Sequence, residues 1–379
     1  MTKKEPDISL TTTIQLKLLP TKEQRQLIYM TMDTYIATVN DIVADFRAMD
    51  KTDKRTSKDV VAVLPSCLKN QCIKDAKSLF KKYKKVCREA DKWNKKHPDE
   101  PKVATCPILR KPASIWNNQN YSIEEDRIGF PVFQNGKSTK IYVRAIIPSE
   151  QLELLNTLKK GTLRITSKGD KLIAQIAVEH PESKASGNGV MGVDLGLKIP
   201  AVCVTDTGKV RFFGNGRKNK YLKRKFRSDR KRLGKAKKLN AIRKSRNKEQ
   251  RIMRDIDHKI SREIINFAKD NHVAVIRTEQ LTNIRATART SRKNEKNLHT
   301  WSFYRLAHYI EYKAALAGIR VEYVNPAYTS QICPVCGKHN HAQDRKYRCS
   351  CGFHGHRDIV GAVNIRNAVP VADGNSLSA

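Results

Sequence analysis

The sequence predicts a multidomain α/β protein carrying a metal-stapled ribbon near residue 340, and three observations carry that expectation. Short apolar strands recur with helical stretches between them, at residues 14–18, 141–147, 172–178, 190–193, 201–204, 273–276 and 319–324. Two of these strands and one helix start run into a carboxylate: Asp194, Glu279 and Asp358. Two close cysteine pairs, Cys333/Cys336 and Cys349/Cys351, complete the pattern.

Composition bounds the class. A chain of 379 residues has room for about two or three domains and a sizeable core. Lys and Arg number 74 against 37 Asp and Glu, a net charge of +37. The pI is near 10.0 and the mean hydropathy is −0.59. Solubility needs far less charge than this, so the excess predicts a polyanionic partner. No apolar run approaches the ~18 residues of a membrane span, and Met1-Thr-Lys-Lys-Glu lacks the apolar core of a signal peptide. A nucleic acid therefore fits better than a membrane surface, and a cytoplasmic, nucleoid-associated location is expected. Nine cysteines, an odd number with four clustered, suit a reducing compartment and one metal site, not a disulfide framework.

In chain order, Ile14, Leu16 and Leu18 alternate with polar residues up to Pro20 and predict a strand. Thr21 and Gln24 are spaced as a capping box, and Leu27, Met30, Tyr35, Val39, Ile42, Val43 and Phe46 follow at helical spacing. Helix is expected to continue to about residue 95, with Leu68, Cys72, Ala76, Leu79, Phe80 and Tyr83 as its apolar stripe. Cys67, Cys72 and Cys87 lie on or beside that stripe and read as small core residues. Lys81 to Lys85 fits a solvated face and a phosphate-contacting face equally, and Trp93 and Trp116 read first as structural and second as base-stacking.

Residues 96–139, rich in Pro, Asn and Lys, predict irregular chain. A β-rich block follows, and the clean alternation of Leu172, Ala174, Ile176 and Val178 after the turn at Ser167–Asp170 predicts a hairpin. The strand near residue 14 and those after 140 are expected to share one sheet, with the helical region inserted between them. His180 to Gly189 reads as a linker to a new domain.

That domain opens with Val190–Val193 running into Asp194, and Ala201–Val204 turns back through Asp206-Thr207-Gly208. Between Arg217 and Lys248 the only acid is Asp229. Leu222, Phe226, Leu233 and Ile242 keep a loose helical stripe, so this stretch predicts a basic helix. Its like charges one turn apart repel unless phosphates neutralise them. Ile252, Ile256, Ile260, Ile264 and Phe267 form the stripe of a buried helix, with His258 off it. Val273–Ile276 predicts the next strand with Glu279 just past its end, a helix runs over residues 303–317, and Gly318 caps it before another strand.

Four thiolates at this spacing suit a tetrahedral Zn²⁺ in a ribbon too small to fold on apolar burial alone. His339, His341, His354 and His356 are competing ligands, but the four cysteines already fill the site. Carboxylates at strand ends are held rigidly, and three of them can hold two Mg²⁺ ions about 4 Å apart, activating water and stabilising the leaving oxygen of a phosphodiester.

Gly192-Val-Asp194-Leu-Gly-Leu-Lys198 resembles the first RuvC motif of the transposon-encoded TnpB proteins, and Thr278-Glu279-Gln280-Leu281 resembles the second, with Gln280 in place of the usual acid or amide. Trp301 to Gly318, Thr329 to Gly337 and Arg357 to Ile365 are similar to the third block and its zinc finger; Leu19 to Gln24 resembles the N-terminal signature. The likeness covers roughly residues 12–366, densest after 190. It implies an RNase H-like (RuvC) nuclease domain with an inserted zinc ribbon, and an N-terminal β-barrel (wedge) domain with an inserted helical recognition domain. The implied divisions are 1–20 (first wedge strand), 21–125 (recognition), 126–186 (wedge), 187–331 (RuvC-like), 332–352 (ribbon) and 353–379 (RuvC segment and tail).

The resemblance implies an RNA-guided DNA endonuclease with a transposon-derived guide RNA and a short motif beside the target. Asp194 would bridge two Mg²⁺ (or Mn²⁺) ions, with Glu279 and Asp358 taking one each. Guide pairing supplies specificity, so the protein mainly grips backbone. Arg217, Lys218, Lys223, Arg224, Lys225, Arg227, Arg230, Lys231, Arg232 and Lys235 would contact nucleic acid. Miniature type V CRISPR effectors share the same C-terminal half, and one or two chains per RNA both fit. Three rivals are a nuclease-inactive RNA-guided repressor, disfavoured because all three acids are present, a guide-independent nuclease for branched DNA, which needs no such N-terminal platform, and a zinc-ribbon binder without activity.

Overall fold

The computed structural model describes residues 10–371 except 182, 184, 186, 246, 282–302, 341 and 343. The chain divides into two compact units, Met1–His180 and Pro181–Ala379. The expected linker at 180–189 begins at that division.

In the first unit a seven-stranded antiparallel sheet forms a half-barrel in the order β2-β6-β7-β1-β5-β4-β3. Its strands are β1 (Leu10–Leu19), β2 (Ala113–Trp116), β3 (Ser122–Glu124), β4 (Arg127–Gln134), β5 (Lys137–Ile146), β6 (Lys159–Lys168) and β7 (Lys171–His180). Strand β1 sits between β7 and β5, far from both in sequence, as the alternation of Ile14, Leu16 and Leu18 predicts; all three are buried. The β6–β7 hairpin turns at Gly169, whose φ of +60° suits glycine. Between β5 and β6 lies the short helix α3 (Ser149–Thr157).

Helices α1 (Lys22–Ala48) and α2 (Ser66–Lys96) enter between β1 and β2. The capping box forms: Thr21 accepts from the Gln24 N–H while the Gln24 side chain accepts from Thr21 N–H. Helix α1 buries Ile28, Met32, Tyr35, Val39, Ile42, Val43 and Phe46. Met30 is 58% exposed, contrary to expectation, because Ile28 and Met32 hold the inward positions one turn apart and Met30 lies across the helix from them. Cys72 is buried, as expected of a small core residue, and its thiol donates to the Tyr35 carbonyl.

Three further expectations change. Helix is interrupted between Met49 and Pro65, where Asp50 takes a positive φ of 51°. Residues 96–139 are not wholly irregular: they hold β2, β3 and β4, whose hydrogen bonds run to each other, to β5 and to β6. Such short strands are set by their partners more than by local propensity. Trp116 is fully buried, with its indole N–H donating to the Pro131 carbonyl at 3.0 Å, so it is structural and has no face for a base.

The second unit has a five-stranded sheet in the order β10-β9-β8-β11-β12. Its members are β8 (Gly189–Asp194), β9 (Ala201–Thr205), β10 (Val210–Phe213), β11 (Val273–Glu279) and β12 (Arg320–Val324). Strands β8, β11 and β12 are parallel, and β9 runs antiparallel to both of its neighbours, β8 and β10. Residues Met191, Val193, Ala201 and Cys203 face one core, which also takes Ile260, Ile264 and Phe267 of α6 (Lys248–Asp270) and Leu306 and Ile310 of α7 (Phe303–Leu316). The alternate residues Val202 and Val204 face the other side and pack on Ala362 of α8 (Arg357–Asn367). Period-two alternation thus assigns each strand residue to one helical layer or the other.

Between β10 and α6 lie α4 (Gly216–Lys235) and α5 (Leu239–Ser245). The single basic helix expected over 217–248 is therefore two, broken near Lys237, whose φ is +53°. A two-stranded ribbon, β13 (Lys346–Arg348) and β14 (His354–His356), precedes α8. Among the described residues no helix is long and apolar enough to cross a membrane.

Candidate functional site

Two of the three sequence-marked acids meet through sheet register. Strands β8 and β11 are parallel neighbours with Val193 opposite Thr278, so the next residues, Asp194 and Glu279, end adjacent strands at the same edge. Side-chain alternation aims both at the α8 layer. Val193 faces the opposite core, and Arg277, two residues before Glu279, donates to the Arg366 carbonyl of α8.

Helix α8 brings the third acid. His356 caps it, accepting from the Asp358 N–H through Nδ1, and Asp358 falls in the first turn, where the helix dipole favours a carboxylate. Close approach of α8 to β8 depends on two glycines. A Cβ on Gly192 would overlap the Ala362 carbonyl and lie 2.8 Å from the Arg366 backbone nitrogen; a Cβ on Gly361 would lie 3.0 Å from the Asp194 carboxylate. Asp194 therefore lies over the first turns of α8, on the side of Asp358.

The electrostatics follow. Burial, then the charges of Glu279 and Asp358, push the Asp194 carboxyl well above the usual carboxylate range, with Arg345 and Arg357 opposing. Burial raises Glu279 as well, against the hydrogen bond from Thr329. Asp358 is buried and pairs with Arg345. Mutual repulsion among buried carboxylates is what a divalent cation relieves, and an all-oxygen donor set suits a hard cation. Among the described residues, only the four cysteines bring their ligand atoms within 4.8 Å of one another; the three acids are more open.

The cysteine cluster fits a tetrahedral ion. The Sγ atoms of Cys333 and Cys351 are 3.7 Å apart, and those of Cys336 and Cys349 are 3.5 Å apart. These separations far exceed a disulfide's about 2.05 Å and match the ~3.8 Å between sulfurs placed about 2.3 Å from a tetrahedral Zn²⁺. Asn340 donates to Cys349 Sγ at 3.2 Å, and the Cys351 backbone draws the Cys349 thiol below its ordinary range. The histidines stay outside the cluster. His356 caps α8 and packs edge-on against Phe212, while His339 packs on Tyr328. His341 lies outside the described residues.

Helix α4 starts at Asn215, which accepts from the Lys218 N–H at 3.0 Å, and buries only Gly216. Leu222, Phe226 and Leu233 are half-buried, so a thin apolar stripe seats a helix whose Arg217, Lys218, Arg224, Lys225, Arg227, Arg230, Lys231, Arg232 and Lys235 are exposed; Lys223 is half-buried. Arg230 pairs with Glu249 at 2.6 Å and Arg232 with Asp229 at 3.5 Å. His258, singled out beside the buried stripe, stacks on Tyr309 with ring centroids 3.9 Å apart.

Sequence reasoning missed Arg345, Thr329 and Asn364. Thr329 donates to Glu279, Asn364 holds the Thr329 main chain, and Arg345 reaches Asp358 from the ribbon. Each is an ordinary polar residue whose role appears only when distant segments meet.

A family model described as a probable transposase matches residues 174–285, and one described as the Cas12f1-like TNB domain matches residues 303–365. TnpB-like protein MJ0751 of Methanocaldococcus jannaschii is 40% identical over 121 residues, which are 31% of this chain and 43% of that protein. The chain thus spans under half the length of that relative. The CRISPR-associated endodeoxyribonuclease Cas12f1 of Sulfoacidibacillus thermotolerans is 25% identical over 334 residues, 80% of this chain and 76% of that protein. In fold, a solved Cas12f1–sgRNA–target DNA complex contains a protein that superposes with a TM-score of 0.67 at 13% identity, covering 95% of this chain and 99% of that one.

A half-barrel sheet, a second α/β unit and a four-cysteine cluster together define a Cas12f-like multidomain α/β protein. The two family models and the relatives make the chain similar to TnpB-like proteins and to the Cas12f1 endodeoxyribonucleases.

Proposed function

We propose that this chain is an RNA-guided DNA endonuclease with a two-metal RuvC site formed by Asp194, Glu279 and Asp358. The observation that carries this reading is the edge of the second unit's sheet, where Asp194 and Glu279 end adjacent parallel strands and Asp194 lies against Gly361 of α8, whose first turn carries Asp358. The similarity to TnpB-like proteins, and to relatives named as endodeoxyribonucleases, supports it.

Mg²⁺, or Mn²⁺, held by the three carboxylates would supply an activated water and charge neutralisation at the leaving oxygen. The chain's own groups do the rest. The sheet fixes Asp194 and Glu279, α8 delivers Asp358, and Arg345 and Arg357 place positive charge where a phosphodiester would enter. Cys333, Cys336, Cys349 and Cys351 would hold Zn²⁺ and fold the ribbon that carries Arg345. The α4 residues from Arg217 to Lys235 would grip the RNA or the guide–target duplex through phosphates.

In this reading residues 1–20 and 126–186 form the wedge, 21–125 the recognition domain, 187–331 and 353–379 the RuvC-like domain, and 332–352 the ribbon. The partners are a guide RNA and target DNA, and the protein works where the cell's DNA is, in the cytoplasm at the nucleoid. The guide comes from the transposon end; a miniature type V effector is the second reading, favoured by the match to the Cas12f1-like TNB domain. Sequencing the RNA that co-purifies separates the two.

The test is cleavage of a guide-matched DNA by the purified protein–RNA complex. Asp194→Ala should abolish Mg²⁺-dependent cutting and leave RNA and target binding intact. Undiminished cutting by that variant, or equal cutting by protein stripped of RNA, would refute the assignment.

A further inference from the structure

We infer that Thr329 is the positioning residue for Glu279, and that Asn364 holds Thr329 in place from α8. The inference rests on the acid site just proposed and adds the parts that fix its geometry.

Glu279 is the last residue of β11. Its main chain is held, because the next residue, Gln280, donates to the Val324 carbonyl at 2.9 Å, but a glutamate side chain keeps three rotatable bonds beyond that anchor. Thr329 removes that freedom. Its Oγ1 lies 2.5 Å from Glu279 Oε1 and 3.3 Å from the Pro326 carbonyl, and the much shorter contact to the carboxylate takes its one proton. Thr329 is 7% exposed, so water competes poorly for the bond. Its branched Cβ also restricts χ1, which makes the hydroxyl a firm anchor. With Oε1 engaged, the carboxylate plane is fixed and its remaining lone pairs are aimed in set directions.

Thr329 is itself tied down from the opposite layer. Asn364 Nδ2 donates to the carbonyls of Thr329 and Ile332, both at 2.7 Å. Asn364 lies on the helix that carries Asp358 in its first turn and Gly361 against Asp194. Glu279, Thr329, Asn364 and α8 thus make a chain of contacts that returns to the other two acids. The same segment roots the ribbon: Tyr347 donates to the Gln331 carbonyl at 2.9 Å, and Arg357 donates to Ser330 Oγ at 3.1 Å. A threonine buried only for packing would need neither the carboxylate partner nor the amide clamp.

The test compares Thr329→Val, which keeps shape and removes the O–H, with Thr329→Ser, which keeps the O–H, in the intact protein–RNA complex. Two quantities are read: Mn²⁺ affinity without target DNA, by electron paramagnetic resonance, and the Mg²⁺ concentration for half-maximal cleavage. Loss of a partner that orients a metal ligand costs on the order of 10–100-fold in metal affinity, so the valine variant should show that loss and the serine variant should restore most of it. Wild-type Mn²⁺ affinity in Thr329→Val overturns the inference, and so does a serine variant as weak as valine, since that would assign the effect to packing. If the valine variant does not fold, Asn364→Ser unties Thr329 and carries the same reading: weakened Mn²⁺ binding is expected, and wild-type binding overturns it. A wild-type complex that binds Mn²⁺ through Thr329-dependent affinity but never cuts matched DNA would refute the proposed activity and leave the positioning role standing.

Discussion

Gly192 and Ala362 are in such close approach that the strand carrying Asp194 and the helix carrying Asp358 touch backbone to backbone. Gly192→Ala should push α8 off the sheet and take Asp358 with it. Overpacking of this kind costs about 1–3 kcal/mol. Misplacement of catalytic groups by about 1 Å costs on the order of 100-fold in rate. The expected outcome is a folded complex, slightly lower in thermal midpoint, that binds target DNA and cuts it about 100-fold more slowly. Wild-type cleavage by this variant would show that α8 need not touch β8.

The ribbon should be a zinc domain whose ion is needed for folding. Cys336 is exposed, so Cys336→Ser removes a ligand with little change in packing. Metal analysis should find about one zinc per wild-type chain and markedly less in the variant. Because Arg345 reaches Asp358 from this ribbon, cleavage should fall along with zinc content. Full zinc occupancy in the variant would mean the four thiols are not the ligands.

Nucleic-acid binding through α4 should be steeply salt-dependent. Each phosphate contact contributes about 0.7–0.9 to the slope of log affinity against log salt. Replacing Arg224, Arg227, Lys231 and Lys235 by glutamine should flatten the slope by about 3, with little effect on stability, since all four are exposed. An unchanged slope, measured by filter binding across a salt series, would remove α4 from the interface.

Lys313 offers a pH test remote from the acids. It is 4% exposed and donates to the His258 carbonyl at 2.7 Å and to Ser261 Oγ at 2.6 Å, tying α7 to α6. Burial lowers its pKa from 10.5 to about 8, with Arg262 adding to the shift. Between those values the unfolded chain holds a proton that the folded chain has lost, so the contribution of Lys313 to stability rises with pH across that window. Lys313→Met should therefore gain most over wild type below pH 8, by on the order of 3 kcal/mol at most, and the gain should shrink toward pH 10.5. Denaturant titrations at several pH values would show this; a constant difference would mean the amine is not desolvated.

Much of this arrangement is legible in the sequence. The end of β8 is visible because its buried aliphatics run straight into Asp194, Glu279 follows the short run Val273–Ile276 within three residues, and the cysteine spacing can be read without any fold. The central place of β1 in its sheet follows from its alternation. Other features escape for physical reasons. Strands β2 and β3 have four and three residues, and their extended form is dictated by partners that come from elsewhere in the chain. The break near Lys237 divides a stretch whose composition is uniform on both sides. Thr329 and Asn364 lie inside stretches that carry the resemblance and Arg345 lies outside them, but the part each plays depends on which carboxylate or carbonyl it reaches, and that the sequence does not show.

Asp358 is encoded 164 residues after Asp194, with the ribbon and most of the second unit's helices between them. While a chain of this kind is being synthesised, β8 and β11 can pair as soon as Glu279 emerges, and two of the acids then stand side by side. The third arrives only when α8 has been made and has settled onto Gly192. In the proposed reading, a chain interrupted before that point would carry the basic helices but only two of the three acids, so the order of synthesis would delay nuclease activity until the molecule is finished.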